Sequence, residues 1–215
     1  MGAEIVVYTA NMGGYDVLQP ALPFDGVEYV VYSDVEQTAD GWRWVPTERL
    51  FAKIGKADSS VYKTRPHRWL PDADVWVWID ANVQLLVHPD RLLAFLSADG
   101  VAAFPHYLRE CVYDEAVAVV AEGRADAGRV DDEMKWLRAV NYPENHGLAE
   151  TGVLVRRNTA EVCNLNDYWW NCLMIFQSWR DQLAFNPSLW VQRMEWGRLP
   201  GGNVRSHPWF GYRAH

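Results

Sequence analysis

The chain has 215 residues, and its 20 basic and 28 acidic side chains give a net charge of -8. Its composition, 49% hydrophobic and 22% charged, excludes a disordered chain. The acidic excess argues against bulk electrostatic binding of nucleic acid or anionic lipid, and no stretch approaches the roughly 20 apolar residues of a membrane span. Because we find no repeat or linker, we expect one domain over residues 1–215.

The first ten residues, MGAEIVVYTA, lack the basic leader and long apolar run of a secretory signal. The cysteines, Cys111, Cys163 and Cys172, are odd in number and form no CxxC pair. This pattern predicts reduced thiols rather than a disulfide framework or a zinc site. Together these features predict a cytoplasmic protein.

Short apolar runs predict the buried strands of a sheet. In chain order they are 5–8, 28–32, 42–45, 75–79, 101–104 and 153–155. Amphipathic segments predict helices at 49–57, 59–70, 90–97, 111–121, 131–140 and 161–176, with a short helical stretch from 178 that Pro187 limits. Alternating strands and helices predict an α/β sandwich with a mostly parallel sheet, whose ligands bind beyond the carboxyl ends of the strands.

Polar residues follow three of these strands. The turn NMGG at 11–14 follows the first, Ser33 and Asp34 follow the second, and Asp80 and Asn82 follow the strand at 75–79. Any of these could be an ordinary turn. Asp80 and Asn82, however, are two residues apart and point to one side of an extended chain. Their oxygens could share a hard cation such as Mg²⁺ or Mn²⁺.

A basic cluster lies just before the strand at 75–79. Its members are Lys53, Lys56, Lys63, Arg65, His67 and Arg68. Such a cluster is often only a solvated helix face, but beside a carboxylate it could neutralise a diphosphate. The chain has no GxxxxGK[ST], GxGxxG, GxSxG or HExxH motif, so the usual P-loop, dinucleotide, serine-hydrolase and zinc-protease signatures are absent.

Three acidic or imidazole side chains of the second half are further candidates. Glu150 and Asp181 could each act as a general base or stabilise a positive charge. They could equally be a surface loop acid and a helix N-terminal acid. His207 could complete a cation site with Asp80 and Asn82, or simply lie at the surface.

These blocks fall in the order found in the TOD/MUCI-type glycosyltransferase-like domain, which the chain resembles over residues 8–185. The matching blocks are NMGGYD at 11–16, YSD at 32–34, Lys63, PH at 66–67, WIDAN at 78–82, His106, ETG at 150–152 and RDQ at 180–182. This domain is similar to the GT-A nucleotide-sugar transferases, notably family 8. The resemblance therefore implies a GT-A-type fold with a mostly parallel Rossmann-like sheet flanked by helices.

The resemblance also implies roles for individual residues. Tyr8, Thr9, Asn11 and Asp34 would hold the nucleoside; Lys63 and Arg68 would face the diphosphate; Asp80, Asn82 and His207 would hold Mn²⁺ or Mg²⁺; and Asp181, Gln182 and Glu150 would serve the sugar and catalysis. The implied reaction moves a sugar from a nucleoside diphosphate, UDP above all, to an acceptor hydroxyl with retention of configuration.

Two departures from the family pattern keep alternatives open. Asn82 is neutral where family 8 has a second aspartate, so the cation site has one charge fewer, and the chain is short for this fold. A non-catalytic sugar-binding module is one alternative. A nucleotidyltransferase is another, although the turn NMGGYD lacks the basic residues that such enzymes carry after the first strand. The sequence leaves the acceptor open.

Overall fold

The computed structural model describes residues 4–51 and 55–214, without the side chains of 55 and 56. The main sheet has seven strands: β1 (Ile5–Ala10), β2 (Val27–Ser33), β3 (Arg43–Pro46), β4 (Val75–Ile79), β6 (Val101–Pro105), β7 (Ala149–Arg157) and β8 (Gly197–Arg198). Their order across the sheet is β3-β2-β1-β4-β7-β6-β8. A second sheet pairs β5 (Val83–Leu85) with β9 (Phe210–Tyr212).

The main sheet is mostly parallel. β3, β2, β1 and β4 run parallel to one another, while β7 runs antiparallel to both of its neighbours, β4 and β6. All six residues of β1 and all five of β4 are buried, because both faces of the sheet are covered. The predicted α/β architecture is therefore confirmed.

Within the described residues, six α-helices accompany the sheets: α1 (Gly55–Thr64), α2 (Asp90–Leu93), α3 (Val112–Ala121), α4 (Ala127–Ala139), α5 (Ala160–Phe176) and α6 (Asp181–Gln192). Alternate residues of β4 enter different cores. Trp76 and Trp78 pack with the residues of α1, α5 and α6, whereas Val77 packs with α2 and the small sheet on the opposite face. No helix within 4–51 and 55–214 has the length and apolarity needed to cross a bilayer.

Prolines explain one difference from the predicted helices and fail to explain another. Helix α1 ends at Thr64 because Pro66 lacks an N–H group and disfavours helix at the residue before it. Pro187, in contrast, lies inside α6. Pro187 removes one hydrogen bond from the helix, but the burial of Leu183 and Leu189 keeps α6 stable despite that loss. The expected limit of the helix at Pro187 is therefore wrong.

Other helix boundaries also shift. Residues 49–51 are not helical and 52–54 lie outside the described residues, so the predicted helix at 49–57 is confirmed only from Gly55. Helix α2 ends at Leu93 rather than residue 97. Helix α4 begins before its three acids because the Asp126 side chain accepts a hydrogen bond from the Arg129 amide at 2.9 Å. Helix α5 begins where the Thr159 side chain accepts a hydrogen bond from the Val162 amide at 3.3 Å.

A candidate active site at the carboxyl edge of the sheet

A cleft of about 880 Å³ lies beyond the carboxyl ends of β1 and β4. Asn11 enters it from the turn after β1, and Asp80 and Asn82 enter from the turn after β4. The start of β7 contributes Glu150, and the first turn of α6 contributes Asp181. The edge of the sheet that the sequence singled out therefore carries the largest concentration of these candidate side chains.

Lys63 lies between two carboxylates in the cleft wall. Its side chain is only 9% exposed, its ammonium pairs with Asp181, and it lies 3.5 Å from Oδ1 of Asp80. The same Nζ donates to the Thr151 hydroxyl oxygen at 3.2 Å. Burial disfavours the ammonium, but the two carboxylates outweigh burial and raise the pKa of Lys63. Lys63 is therefore a fixed positive charge shared by Asp80 and Asp181.

Asp181 is held in its ionised form. The Thr151 hydroxyl donates to Oδ2 at 2.9 Å, and the Gln182 amide donates to Oδ1 at 3.0 Å. Burial alone would raise the pKa of Asp181, but Lys63 and Arg180 together with these hydrogen bonds lower it to about 2. This carboxylate suits charge stabilisation and is too acidic for a general base.

Asp80 differs because it remains accessible from the cleft. The Trp78 indole donates to its Oδ1 at 2.9 Å, yet 45% of the Asp80 side chain is exposed. Loss of solvation in the cleft wall raises the pKa of Asp80. The positive charge of Lys63 opposes that rise, and the negative charge of Asp181 adds to it. Gly152 faces the second oxygen, where an added Cβ would lie 3.2 Å from Oδ2. Glycine at this position keeps a side chain away from the Asp80 carboxylate.

Asp80 and Asn82 fit part of the predicted cation site. They line one wall of the cleft, and a carboxylate with an amide suits Mg²⁺ or Mn²⁺ when substrate phosphates complete the coordination. Residues 4–51 and 55–214 contain no group of three His, Cys, Asp or Glu side chains that could hold a metal by itself. A cation here would therefore depend on the diphosphate of a bound substrate.

His207 does not join Asp80 and Asn82. Its imidazole is buried against Phe104 and Trp209, with ring centroids 5.5 and 4.9 Å away. Its Nδ1 accepts from the Trp209 amide at 3.2 Å, and the ring also bonds to the backbone of Pro200. Burial lowers the pKa of His207. The structure therefore does not bring His207 together with Asp80 and Asn82, because the ring is part of the packing between β6 and the C-terminal segment.

Glu150 combines burial with an unsatisfied oxygen. It is 9% exposed and lines the cleft, and its Oε2 has no hydrogen-bond partner among the described residues. Burial and the nearby Asp80 raise the pKa of Glu150, whereas Arg205 and Lys63 oppose the rise. Glu150 is thus better suited than Asp181 to accept a proton.

The expected nucleoside residues divide into those that reach the cleft and those that do not. Asn11 lines it, while its amide holds the loop through the carbonyl of Asp16 at 2.9 Å. Tyr8 and Thr9 are 0% exposed and do not line the cleft, so the structure does not bring them to the place expected for the nucleoside. Asp34 does not line the cleft; its carboxylate accepts from the Gly13 amide at 2.6 Å and pairs with an arginine from the loop after β3.

The basic cluster contributes only Lys63 among its described side chains. Arg68 forms a two-pronged ion pair with Asp167 on α5, at 2.9 Å, and does not line the cleft, so the structure does not bring it to the place expected for the diphosphate. Arg65 stacks on Trp170 at 4.4 Å. Lys53 lies outside the described residues, as does the side chain of Lys56. Tertiary pairing with α5 draws these cations away from the cleft.

Four arginines that sequence reasoning had not assigned line the cleft instead: Arg109, Arg124, Arg180 and Arg205. Arg205 donates to the Tyr107 hydroxyl at 3.1 Å, and its guanidinium lies over the ring of Tyr212 at 5.4 Å. Only Arg180 had a local signal, as part of the RDQ block. The others come from separate loops and could not be grouped from spacing.

The model of the TOD1/MUCI70 glycosyltransferase-like domain matches residues 28–198. The chain belongs to this family. The probable hexosyltransferase MUCI70 of Arabidopsis thaliana is 29% identical over 162 residues, which cover 67% of this chain and 27% of the relative. The domain thus spans little more than a quarter of that relative's length.

Solved structures place the domain among glycosyltransferase folds. The bifunctional glycosyltransferase WbbM has a TM-score of 0.51 at 14% identity, covering 92% of this chain and 38% of that one. Mouse xyloside xylosyltransferase 1 has a TM-score of 0.52 at 8% identity, covering 92% and 84%. The expected family and the GT-A-like fold are both confirmed.

Proposed function

We propose that the domain transfers a sugar from a nucleoside-diphosphate sugar to an acceptor hydroxyl. The observation that carries the proposal is the pair Asp80 and Asp181, joined by Lys63 in the wall of a cleft at the carboxyl edge of the sheet. Membership in a glycosyltransferase-like family supports the same reaction class. UDP is the nucleotide we propose first, from the resemblance to family 8 transferases.

The cleft offers separate places for the parts of such a donor. The nucleoside would lie against the loop after β1, where Asn11, Met12 and Tyr15 line the wall. The diphosphate would lie toward Asp80 and Asn82, with Arg205 as an opposing cation in the same cleft. Arginine can bind phosphate with two hydrogen bonds and stabilises the negative charge on the phosphate oxygens.

The transfer breaks the bond between the sugar C1 and the β-phosphate oxygen, and the electron pair leaves with the diphosphate. Asp181 stabilises the positive charge that develops at C1, because Lys63 and Thr151 keep it ionised and oriented. The acceptor oxygen then bonds to C1. In the retaining reaction that we propose, its proton passes to the departing phosphate oxygen, and Glu150 lines the same cleft.

We further propose that Asp80 and Asn82 would hold Mn²⁺ or Mg²⁺ beside the diphosphate. When bound, the cation supplies positive charge at the phosphate oxygens. The neutral Asn82 gives it one protein charge fewer than two aspartates would, so binding should depend strongly on the nucleotide. UDP should therefore raise the melting temperature more in the presence of Mn²⁺ than in its absence.

The test is Asp80→Ala, assayed with a panel of nucleotide sugars for both hydrolysis and transfer. We expect the activity to fall at least about 100-fold, because the variant lacks the carboxylate that would hold positive charge next to the departing diphosphate. Asp72→Ala is the matched control, since Asp72 is exposed and does not line the cleft. Wild-type turnover in the Asp80 variant would refute the proposal. Nucleotide binding without any turnover in the wild type would instead identify a non-catalytic module.

A further inference from the structure

A second cavity, of about 320 Å³, adjoins the candidate active site. It lies between the segment after β6, the segment before β7 and the outer part of α6. Among its lining residues are His106, Arg109, His146, Asn186, Trp190 and Trp196. Its volume is at the lower end of the roughly 300–1,000 Å³ of small-molecule sites, enough for a short saccharide.

The two cavities share a partition made of ordered side chains. His106 and Arg109 line both of them. Arg109 is held by a 2.6 Å ion pair with Glu115, which is buried in α3. The Nδ1 atom of His106 accepts from the Arg109 amide at 3.1 Å. A molecule in the second cavity would therefore touch the same residues that border the donor cleft.

Helix α6 connects the two cavities along one face. Gln182 lines the cleft, while Asn186 and Trp190 line the second cavity. These positions are spaced by four and therefore lie on the same side of the helix. At 1.5 Å per residue they extend over about 12 Å. The start of strand β7 also borders both cavities. Leu148, just before the strand, lines the second cavity, and Glu150 lines the cleft.

Tryptophan rings give the second cavity a surface suited to sugars. Trp190 is 39% exposed, and edge contacts to His146 at 4.9 Å and Tyr142 at 6.1 Å fix its indole. Trp196 also lines the cavity, with the Arg198 guanidinium 4.9 Å from its ring. A rigid ring flanked by polar groups can stack on the C–H face of a saccharide while its neighbours bind the hydroxyls.

We propose that this cavity binds a saccharide acceptor and presents its hydroxyl to the donor across the His106–Arg109 partition. The proposal rests on the proposed function, because an acceptor is needed only if sugar is transferred. It selects a saccharide over a protein side chain or a nucleic acid base. The open, anchored indole of Trp190 favours a ligand with a flat apolar face, and the arginines at the rim suit its hydroxyl groups.

The experiment compares Trp190→Ala with Trp69→Ala. Trp69 is a matched control because it is 40% exposed and lies outside both cavities. Two reactions are measured for each variant: hydrolysis of a nucleotide sugar, and transfer to lactose, cellobiose, maltose and xylobiose. Binding of the same disaccharides is measured by saturation-transfer NMR without nucleotide. We expect Trp190→Ala to raise the acceptor KM about 10-fold or more and to leave hydrolysis unchanged.

The outcomes separate the two proposals. Unchanged acceptor KM and unchanged disaccharide binding in Trp190→Ala would overturn the acceptor site, while hydrolysis by the wild type would still support glycosyl transfer. Absence of hydrolysis and transfer in the wild type would refute the proposed function, and the NMR measurement would then test saccharide binding by itself. If Trp190→Ala does not fold, Trp190→Phe keeps a smaller ring and should show the same selective effect on KM at reduced size.

Discussion

Two buried cations, Lys63 and Arg156, contact each other in this fold but have different partners. The Lys63 ammonium faces the cleft and pairs with Asp181, whereas the Lys63 carbonyl accepts a hydrogen bond from Arg156 at 2.5 Å. Arg156 is 0% exposed and also donates to the Tyr8 hydroxyl at 2.5 Å. Its other acceptors are the Thr64 carbonyl and the side chain of Asn166.

The comparison shows how partners decide what a buried charge can do. Around Lys63 the partners are the carboxyl groups of Asp80 and Asp181 beside open space, so their charges can respond to a ligand. Around Arg156 the partners are neutral oxygens in a closed core, so the guanidinium joins α1, α5, β1 and β7 without facing solvent. We infer that the first cluster serves chemistry and that the second fixes the position of α1, from which Lys63 projects.

Arg156→Met gives the largest expected change. Removing the guanidinium leaves several buried oxygens without a donor, at about 1–3 kcal/mol for each oxygen that stays unsatisfied. We expect the free energy of unfolding to fall by roughly 3 to 5 kcal/mol, measured by urea denaturation. Arg157→Met is the control because Arg157 is the next residue of β7 and is exposed. Equal stability of both variants would contradict the structural role of Arg156.

Asp181→Asn tests the other cluster. The amide keeps the shape of the side chain but removes the charge that Lys63 holds near the proposed sugar site. We expect kcat to fall about 100- to 1,000-fold with little change in donor affinity, because the charge is needed most in the transition state. Steady-state kinetics and donor titration measure the two quantities separately. Asp132→Asn, exposed on α4, is the control. A loss of donor affinity alone would assign Asp181 to donor binding.

Sequence reasoning found the parts of this arrangement that are local in the chain. Asp80 follows a fully buried strand, so its position at the edge of the sheet could be predicted from the apolar run before it. The pairing of Arg68 could not be predicted, because its partner, Asp167, is 99 residues away and only the tertiary structure brings them together. Arg205 was missed for the same reason, since nothing near it in sequence indicates the cleft.

Tyr8 shows a different limit. The family resemblance implied that Tyr8 contacts the nucleoside, but strand residues alternate between faces and the sequence does not reveal which face opens on the cleft. The ring packs edge-on against Trp78 at 5.2 Å, and its hydroxyl is fixed by Lys63 and Arg156. Burial raises the pKa of Tyr8 to about 12, as expected for a phenol inside the core.

A third buried charge, Glu133 on α4, has neither kind of partner and sharpens the comparison further. It is 0% exposed and forms no ion pair within the described part of the chain. Burial raises the pKa of Glu133 from 4.5 to about 7, against a smaller opposing effect of Ser178. Among the described residues Glu133 has no paired cation, unlike the carboxylates around Lys63, and it lacks the many hydrogen bonds that Arg156 makes. It should therefore be neutral in the folded chain at mildly acidic pH.

The pH dependence of stability follows from this shift. Between pH 4.5 and about 7 the folded chain binds more protons at Glu133 than the unfolded chain does. The contribution of Glu133 to stability is therefore fully present below pH 4.5 and is lost as pH rises through about 7, amounting to about 3 kcal/mol. Glu133→Gln cannot ionise, so its free energy of unfolding should lack this decline. Denaturation curves from pH 5 to about 8, with Asp132→Asn as the exposed control, measure the difference; parallel curves for Glu133→Gln and the wild type would mean that Glu133 is already paired or hydrated in the folded chain.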